Sequence, residues 1–154
     1  MSKFLGILVA GSLCASLAGA QAAATKPQVA AIKGYVFHSD KGELGKDNVF
    51  AEGFAGLWNQ VLVDSVLVIV EVKGDPYGSY WQKNEKKFKV QLTARDHKSS
   101  NQTRPIVTLG EDGKRYLSFL VPFDACSTLK VTAKVVGPGV NAPVQVSLPA
   151  SCGE

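Results

Sequence analysis

Apolar and polar residues alternate with a period of two along much of this chain. Between Lys86 and Ala94, the apolar residues Phe88, Val90 and Leu92 occupy every second position, with lysine, glutamine and threonine between them. Successive side chains of a strand point to opposite faces, so this pattern predicts a strand with one buried face and one wet face. The same alternation recurs in three later segments: Leu117 to Phe123, Leu129 to Val135 and Val144 to Leu148.

Three further segments predict strands with a less regular pattern. Val29 to His38 contains β-formers and is expected to open the domain. Val61 to Val72 has branched residues on both faces, which predicts a central strand covered on both sides or a strand whose outer face meets a partner. Ile106 to Leu109 is expected to form a short strand. The turn Gly110 to Gly113 should join it to the next strand, because an Asp-Gly pair supplies the positive φ of tight hairpins.

Helical signals are weak. The segment Val49 to Asn59 has apolar residues at helical spacing, but Gly53 and Gly56 each cost about 1 kcal/mol relative to alanine in a helix. We expect at most one short helix, near residues 50–58. The sequence therefore predicts an all-β fold, an antiparallel β-sandwich of about seven strands, in a single domain over residues 25–154.

The strand number and the alternation between Val29 and Cys152 resemble those of an immunoglobulin-like sandwich. The resemblance is one of fold only and is carried by no specific motif. It therefore implies an architecture and no binding residues, because one fold can carry many functions.

The first twenty residues have the features of a removable secretory signal. Lys3 supplies a positive charge, Phe4 to Leu17 is apolar and uncharged, and Ala18-Gly19-Ala20 has the small residues that signal peptidase accepts. A second cleavage position follows Ala24. The apolar stretch is shorter than the roughly 20 residues of a membrane span. We therefore expect a periplasmic or secreted protein with no transmembrane span.

The chain is mildly basic. Its formal net charge is +4, and removal of Lys3 with the signal, which contains no acidic residue, lowers the charge to +3. A nucleic-acid partner is not expected at this charge. The basic residues concentrate in one stretch with only Glu85 and Asp96 as acids: Lys83, Lys86, Lys87, Lys89, Arg95, Lys98 and Arg104. This stretch could bind an acidic partner, lipid headgroups or an anionic polysaccharide. The favoured interpretation is a solvated face whose lysines oppose aggregation.

The loop from Gly74 to Gln82 is the candidate binding site. It contains the aromatic residues Tyr77, Tyr80 and Trp81. Aromatic side chains on loops offer large contact areas to a protein or glycan partner at a small entropic cost. In the alternative interpretation, Tyr80 and Trp81 fold back and cap the end of the sandwich.

No pattern for a metal, a cofactor or a reaction stands out. His38 and His97 are the only histidines and are not spaced as metal ligands, and the acids between Asp40 and Glu52 lack the spacing of a calcium loop. Neither a G-x-S-x-G elbow nor a phosphate-binding loop is present. The leading hypothesis is a binding or accessory module for a protein or glycan in the cell envelope. The alternatives are a self-associating structural subunit and a hydrolase whose site is assembled in space around a histidine. The oligomeric state stays open.

One disulfide is expected. Cleavage of the signal removes Cys14 and leaves Cys126 and Cys152, and an even count in an exported chain favours a bridge. If the last two strands form a hairpin through the turn at residues 137–139, the two cysteines lie opposite each other at its open end. The apolar faces of the two strands then agree only if a one-residue bulge lies between the strand pairing and the cysteines. Pro149 is the expected position of this bulge. The alternative places the two strands in different sheets.

Reduction of the native protein is expected to raise its intact mass by two hydrogen atoms, because one disulfide becomes two thiols. Mass spectrometry with and without reductant, followed by alkylation, measures this change. Two thiols that alkylate in the absence of reductant would contradict the bridge.

Overall fold

The computed structural model describes residues 26–54, 57, 63–77, 87–140 and 142–150. These ranges contain eight strands: β1 Gln28–His38, β2 Glu43–Leu44, β3 Val63–Lys73, β4 Lys89–Arg95, β5 Ser99–Pro105, β6 Lys114–Pro122, β7 Leu129–Val136 and β8 Pro143–Leu148. They form two four-stranded antiparallel sheets. The first sheet has the order β2-β1-β3-β6, and the second has the order β5-β4-β7-β8. The all-β prediction is confirmed, with eight strands where about seven were expected, because β2 and β5 were not predicted and the strand expected at Ile106 to Leu109 does not form.

The short helix expected near residues 50–58 is not found in the part of that segment that the structure describes. Residues 50–54 form turns instead. The Ala51 amide donates to the Asn48 carbonyl at 3.0 Å, and the Phe54 amide donates to the Ala51 carbonyl at 3.2 Å. Residues 55, 56 and 58 lie outside the described ranges. Within those ranges, no helix has the length and hydropathy needed to cross a membrane.

The alternating apolar residues meet between the two sheets. Phe88, Val90 and Leu92 are fully buried on one side of the core, and Val68 and Phe119 are fully buried on the other. Complete burial of one such side chain contributes about 1.5–3 kcal/mol. The faces predicted from the period of two for β4, β6, β7 and β8 are therefore confirmed.

A bulge in β1 explains its irregular pattern. The pairing of β1 with β3 shifts between Val29 and Ala31, so that Val29 and Ile32 both point inward although their positions differ in parity. An extra residue in a strand changes which face the following residues occupy. A sequence with a strict period of two could therefore not form this strand.

The open strand edges are protected in two ways. The free edge of β1 is covered by the following chain, because the Gly45 amide donates to the Val36 carbonyl at 2.8 Å and the Val49 amide donates to the Gly34 carbonyl at 2.9 Å. Three of the four end strands each have a proline at one terminus: Pro105 in β5, Pro122 in β6 and Pro143 in β8. Proline lacks the amide hydrogen that a neighbouring strand would use, so these edges resist further pairing.

The last two strands form the expected hairpin. Leu129 pairs with Leu148 and Ala133 pairs with Val144, so the apolar faces of β7 and β8 agree. Continuing this register would place Cys126 opposite residue 151, one position short of Cys152. A bridge between Cys126 and Cys152 would therefore still need the one-residue bulge expected at Pro149. Cys152 lies outside the described residues, and the disulfide stays a prediction.

The prediction of a strand at Ile106 to Leu109 is wrong. Those residues form a loop, in which Ile106 and Leu109 are nevertheless buried, at 1% and 6% exposure. The preceding strand of the sheet is β5, which is polar throughout and had not been predicted. The expected tight turn does form, because the Gly113 amide donates to the Gly110 carbonyl at 2.9 Å and Gly113 has a φ of 72°.

Substitution of Gly137 by alanine is expected to destabilise the fold. The added Cβ would overlap a ring carbon of the fully buried Phe88, and overpacking of a core costs about 1–3 kcal/mol. Gly45→Ala is the matched control, because its Cβ would meet its nearest atoms, in Val36, at 3.6 Å. Urea unfolding measures both free energies. Equal stability of the two variants would contradict the packing described for Phe88.

Candidate functional site

The second sheet differs from the first in charge. Its four strands contain five cationic residues and no acidic residue: Lys89, Arg95, Arg104, Lys130 and Lys134. The strands of the first sheet contain three acidic residues, Glu43, Asp64 and Glu71. The first sheet also contains four cations, Lys33, Lys73, Lys114 and Arg115, which its three acids largely offset. Net positive charge is therefore concentrated on the second sheet.

Four of the five cations lie on the outer face of the second sheet. Lys89 and Arg95 of β4 alternate with residues that point into the core, and so do Lys130 and Lys134 of β7. In the described ranges, no carboxylate oxygen lies within 4.0 Å of these four side chains. The fifth cation, Arg104, lies over the Phe119 ring, 5.5 Å from its centroid.

The outer face of the second sheet carries a shallow concavity of about 560 Å³. It is lined by three side chains from β4 and three from β7: Gln91, Thr93, Arg95, Lys130, Thr132 and Lys134. Pro143 and Gln145 of β8 complete the wall. Amide, hydroxyl and cationic groups together form a surface that can bind the hydroxyl and acidic groups of a ligand.

A neutral polar row crosses the middle of this face. Strand register places Asn101, Thr93, Thr132 and Gln145 side by side on four consecutive strands. The Thr93 hydroxyl donates to Asn101 Oδ1 at 2.7 Å, which leaves the Asn101 amide nitrogen available as a donor. Cationic residues lie on both sides of the row.

The outer face of the first sheet contains more apolar residues than that of the second, although Lys33 and Glu71 also lie on it. Register places Tyr35, Leu67 and Leu120 in one row across β1, β3 and β6. Leu120 and Tyr116 are 51% and 53% exposed, and Leu67 is half-buried. The first interpretation of Val61 to Val72, a central strand covered on both sides, is wrong for the described residues of this segment. Residues 61 and 62 lie outside the described ranges.

The structure describes one residue of the predicted aromatic site. Tyr77 is 69% exposed, and its amide donates to Asp75 Oδ1 at 3.0 Å. Tyr80 and Trp81 lie outside the described residues, so their role stays a prediction. The described start of this loop contacts the β5–β6 turn, because the Gly74 amide donates to the Gly113 carbonyl at 2.9 Å.

His97 does not form a catalytic arrangement with Ser127, the serine hydrogen-bonded to its acidic neighbour. His97 Nε2 lies 3.8 Å from Asp124 Oδ2, and both side chains are more than half exposed. The Ser127 hydroxyl donates to the Asp124 carbonyl and not to the histidine. The described residues also contain no group of three His, Cys, Asp or Glu side chains that could hold a metal ion.

The basic stretch seen in the sequence contains only two of the four cations on this outer face. Lys89 and Arg95 belong to the basic stretch, but Lys130 and Lys134 lie on β7, far along the chain. The register of β4 with β7 brings the two pairs together, and Arg95 lies directly opposite Lys130. In the sequence, Lys130, Thr132 and Lys134 alternate with apolar residues, and this pattern already indicated that the three share an outer face.

Comparison of the chain with protein-family models, curated proteins and solved structures yields no match.

The β4–β5 hairpin turn contains a carboxyl group with a lowered pKa. The Lys98 amide donates to Asp96 Oδ1 at 2.6 Å, and this hydrogen bond is the main reason why the pKa of Asp96 lies below its ordinary value of 3.8. A lowered folded-state pKa stabilises the fold above the ordinary value, and the stabilisation is lost as the pH falls through the folded-state pKa.

The carboxyl signal of Asp96 is therefore expected to titrate with a midpoint below 3.8 by NMR. Asp96→Asn keeps an acceptor oxygen but removes the charge, so the variant should be less stable than the parent near pH 7 and closer to it near pH 2. Thermal unfolding at both pH values measures the difference. A midpoint at or above 3.8 would contradict the hydrogen-bond explanation.

Proposed function

We propose that this protein is an exported binding module that holds an acidic ligand on the outer face of its second sheet. The main support is the charge of that face, where four cations point outward, three of them line the concavity, and no described carboxylate pairs with them. Export is supported by the sequence of the first twenty residues.

The proposal includes an immunoglobulin-like fold. Lettered in the immunoglobulin manner, β1, β3 and β6 correspond to A, B and E, and β5, β4, β7 and β8 correspond to C′, C, F and G. The orders A-B-E and C-F-G both occur in the constant-type immunoglobulin domain, but no described strand corresponds to the strand D that lies beside E there, and a fourth strand lies beside C instead. This order supports the proposal beyond the strand number and alternation of the sequence.

Strand faces of such sandwiches are suited to extended ligands. Seven residues of β4 extend over about 20 Å, and four strands side by side extend over about 14 Å. A surface of this size accommodates a chain-like ligand better than a single small molecule. The favoured function is therefore capture of an extended acidic molecule in the cell envelope or outside the cell.

A second candidate site is the end of the sandwich that carries Tyr77. In the lettering above, the loops after β3, β5 and β7 correspond to the B–C, C′–E and F–G loops, and the first and last of these bind antigen in antibodies. Tyr77 in the loop after β3 is 69% exposed, and Val107 in the loop after β5 is 66% exposed. This site would suit the protein or glycan partner predicted from the aromatic residues.

Self-association through a strand edge is less favoured. Prolines at the termini of β5, β6 and β8 and the chain covering β1 would oppose it. Hydrolysis is less favoured because the Ser127 hydroxyl donates to the backbone carbonyl of Asp124 and not to His97.

The double variant Lys130→Gln/Lys134→Gln is expected to lower the affinity for poly-L-glutamate and polygalacturonate by roughly tenfold, or about 1.4 kcal/mol. Binding by the parent protein should weaken as salt is added, because exposed charges are screened. Isothermal titration calorimetry at low and high ionic strength measures both effects.

The matched control is Lys33→Gln/Lys41→Gln, which removes two exposed lysines from the other half of the molecule. An equal loss in the control would show an effect of net charge and contradict the proposed site. A loss in Tyr77→Ala without a loss in the lysine variant would move the site to the loop end. Failure of both polyanions to bind at low ionic strength would overturn the proposal.

A further inference from the structure

The four outer cations form two pairs. Arg95 and Lys130 are direct partners across β4 and β7. Lys89 and Lys134 are diagonal neighbours, because Lys89 lies opposite Val136, two residues beyond Lys134. Direct partners have Cβ atoms about 5 Å apart, and diagonal neighbours are about 7–8 Å apart. Each pair is thus close enough for one anionic group to contact both of its cations.

The Arg95–Lys130 pair has a cost that the fold alone does not explain. Like charges directly opposite each other destabilise a sheet. Lysines that prevent aggregation are needed on edge strands, but β4 and β7 are the two central strands of the order β5-β4-β7-β8. The edges are already protected by prolines. An anion bound between the two cations would remove their repulsion.

The distance between the pairs suits a chain with separated acidic groups. Along β7, Lys130 and Lys134 are four residues apart, or about 13 Å, and along β4, Arg95 and Lys89 are six residues apart, or about 20 Å. The neutral row through Thr93 and Thr132 lies between the pairs. A matching ligand therefore has acidic groups at two separated points and neutral polar groups between them.

The side chains of the face favour a glycan over a protein. Binding sites for proteins depend on aromatic or large aliphatic anchors near their centre. The centre of this face has threonine, glutamine and asparagine, and its apolar residues, Val136, Pro105 and Pro143, lie in the rows at one end. Hydroxyl and amide groups in rows can bind the hydroxyl groups of successive sugars.

We infer that the ligand is a linear acidic oligosaccharide that lies along the strands, with one acidic group between Arg95 and Lys130 and another between Lys89 and Lys134. Neutral sugars contact the row between the pairs. This inference rests on the proposed function and specifies its ligand. The acidic group is a carboxylate or a sulfate, since both accept charge-assisted hydrogen bonds from arginine and lysine.

The test uses four probes and the purified parent protein. Hyaluronan octasaccharide has carboxylates on alternate sugars, heparin octasaccharide has sulfates, a chitin octasaccharide of the same length is neutral, and poly-L-glutamate is an acidic peptide. We expect the hyaluronan or the heparin probe to bind at least roughly tenfold more tightly than the neutral probe. Binding of hyaluronan as tight as that of heparin identifies a carboxylate; because heparin also has carboxylates, a sulfate is identified when heparin binds and its fully desulfated form does not. Amide NMR signals of Thr93 and Thr132 should shift on binding.

The variant Arg95→Gln/Lys130→Gln separates binding from structure. It is expected to lose roughly tenfold in affinity for the acidic oligosaccharide while its melting temperature without ligand stays equal to or above that of the parent, because the repulsion is gone. Lys33→Gln/Lys41→Gln should keep the parent's affinity. A fall in melting temperature with unchanged affinity would show a structural role and overturn the inference.

The outcomes distinguish this inference from the proposed function. If poly-L-glutamate binds and neither acidic oligosaccharide binds, the glycan inference is overturned and the acidic-ligand site stands. If the neutral probe binds as tightly as the acidic ones, the pairing of acidic groups with Arg95 and Lys130 is overturned. If no probe binds at low ionic strength, both proposals fail.

Discussion

The register between β4 and β7 is the constraint on which the second sheet depends. Leu92 lies opposite Ala133 and Val90 lies opposite Val135, and all four are buried between the sheets. Because the side-chain period is two, a shift by one residue would turn the apolar residues of the shifted strand outward. The core thus fixes one register, and that register also determines which polar residues become neighbours on the outside.

The cationic face is a consequence of this packing. Once Val131 and Ala133 point inward, Lys130 and Lys134 must point outward, and the same argument applies to Arg95. Burial of the inner faces stabilises the sheet enough to tolerate two cations directly opposite each other on its outer side. The outer face can therefore carry residues selected for a ligand, while the inner face carries those required for folding.

The period of two was sufficient to predict the strands with one wet face, but not the whole fold. It failed for β5, which has no large apolar residue because it is an edge strand, and for Ile106 to Leu109, whose apolar residues fill the end of the core from a loop. It also could not show a face assembled from β4 and β7, because Arg95 and Lys130 meet only through strand pairing. Local sequence indicates which face a residue occupies, and tertiary register decides its neighbours.

The most direct measurement of this account is the NMR register of β4 against β7. We expect backbone nuclear Overhauser contacts that place Arg95 opposite Lys130 and Thr93 opposite Thr132. Contacts that pair Arg95 with Leu129 or Val131 would contradict the account. The register that buries the apolar residues would then not be the one that places Arg95 opposite Lys130.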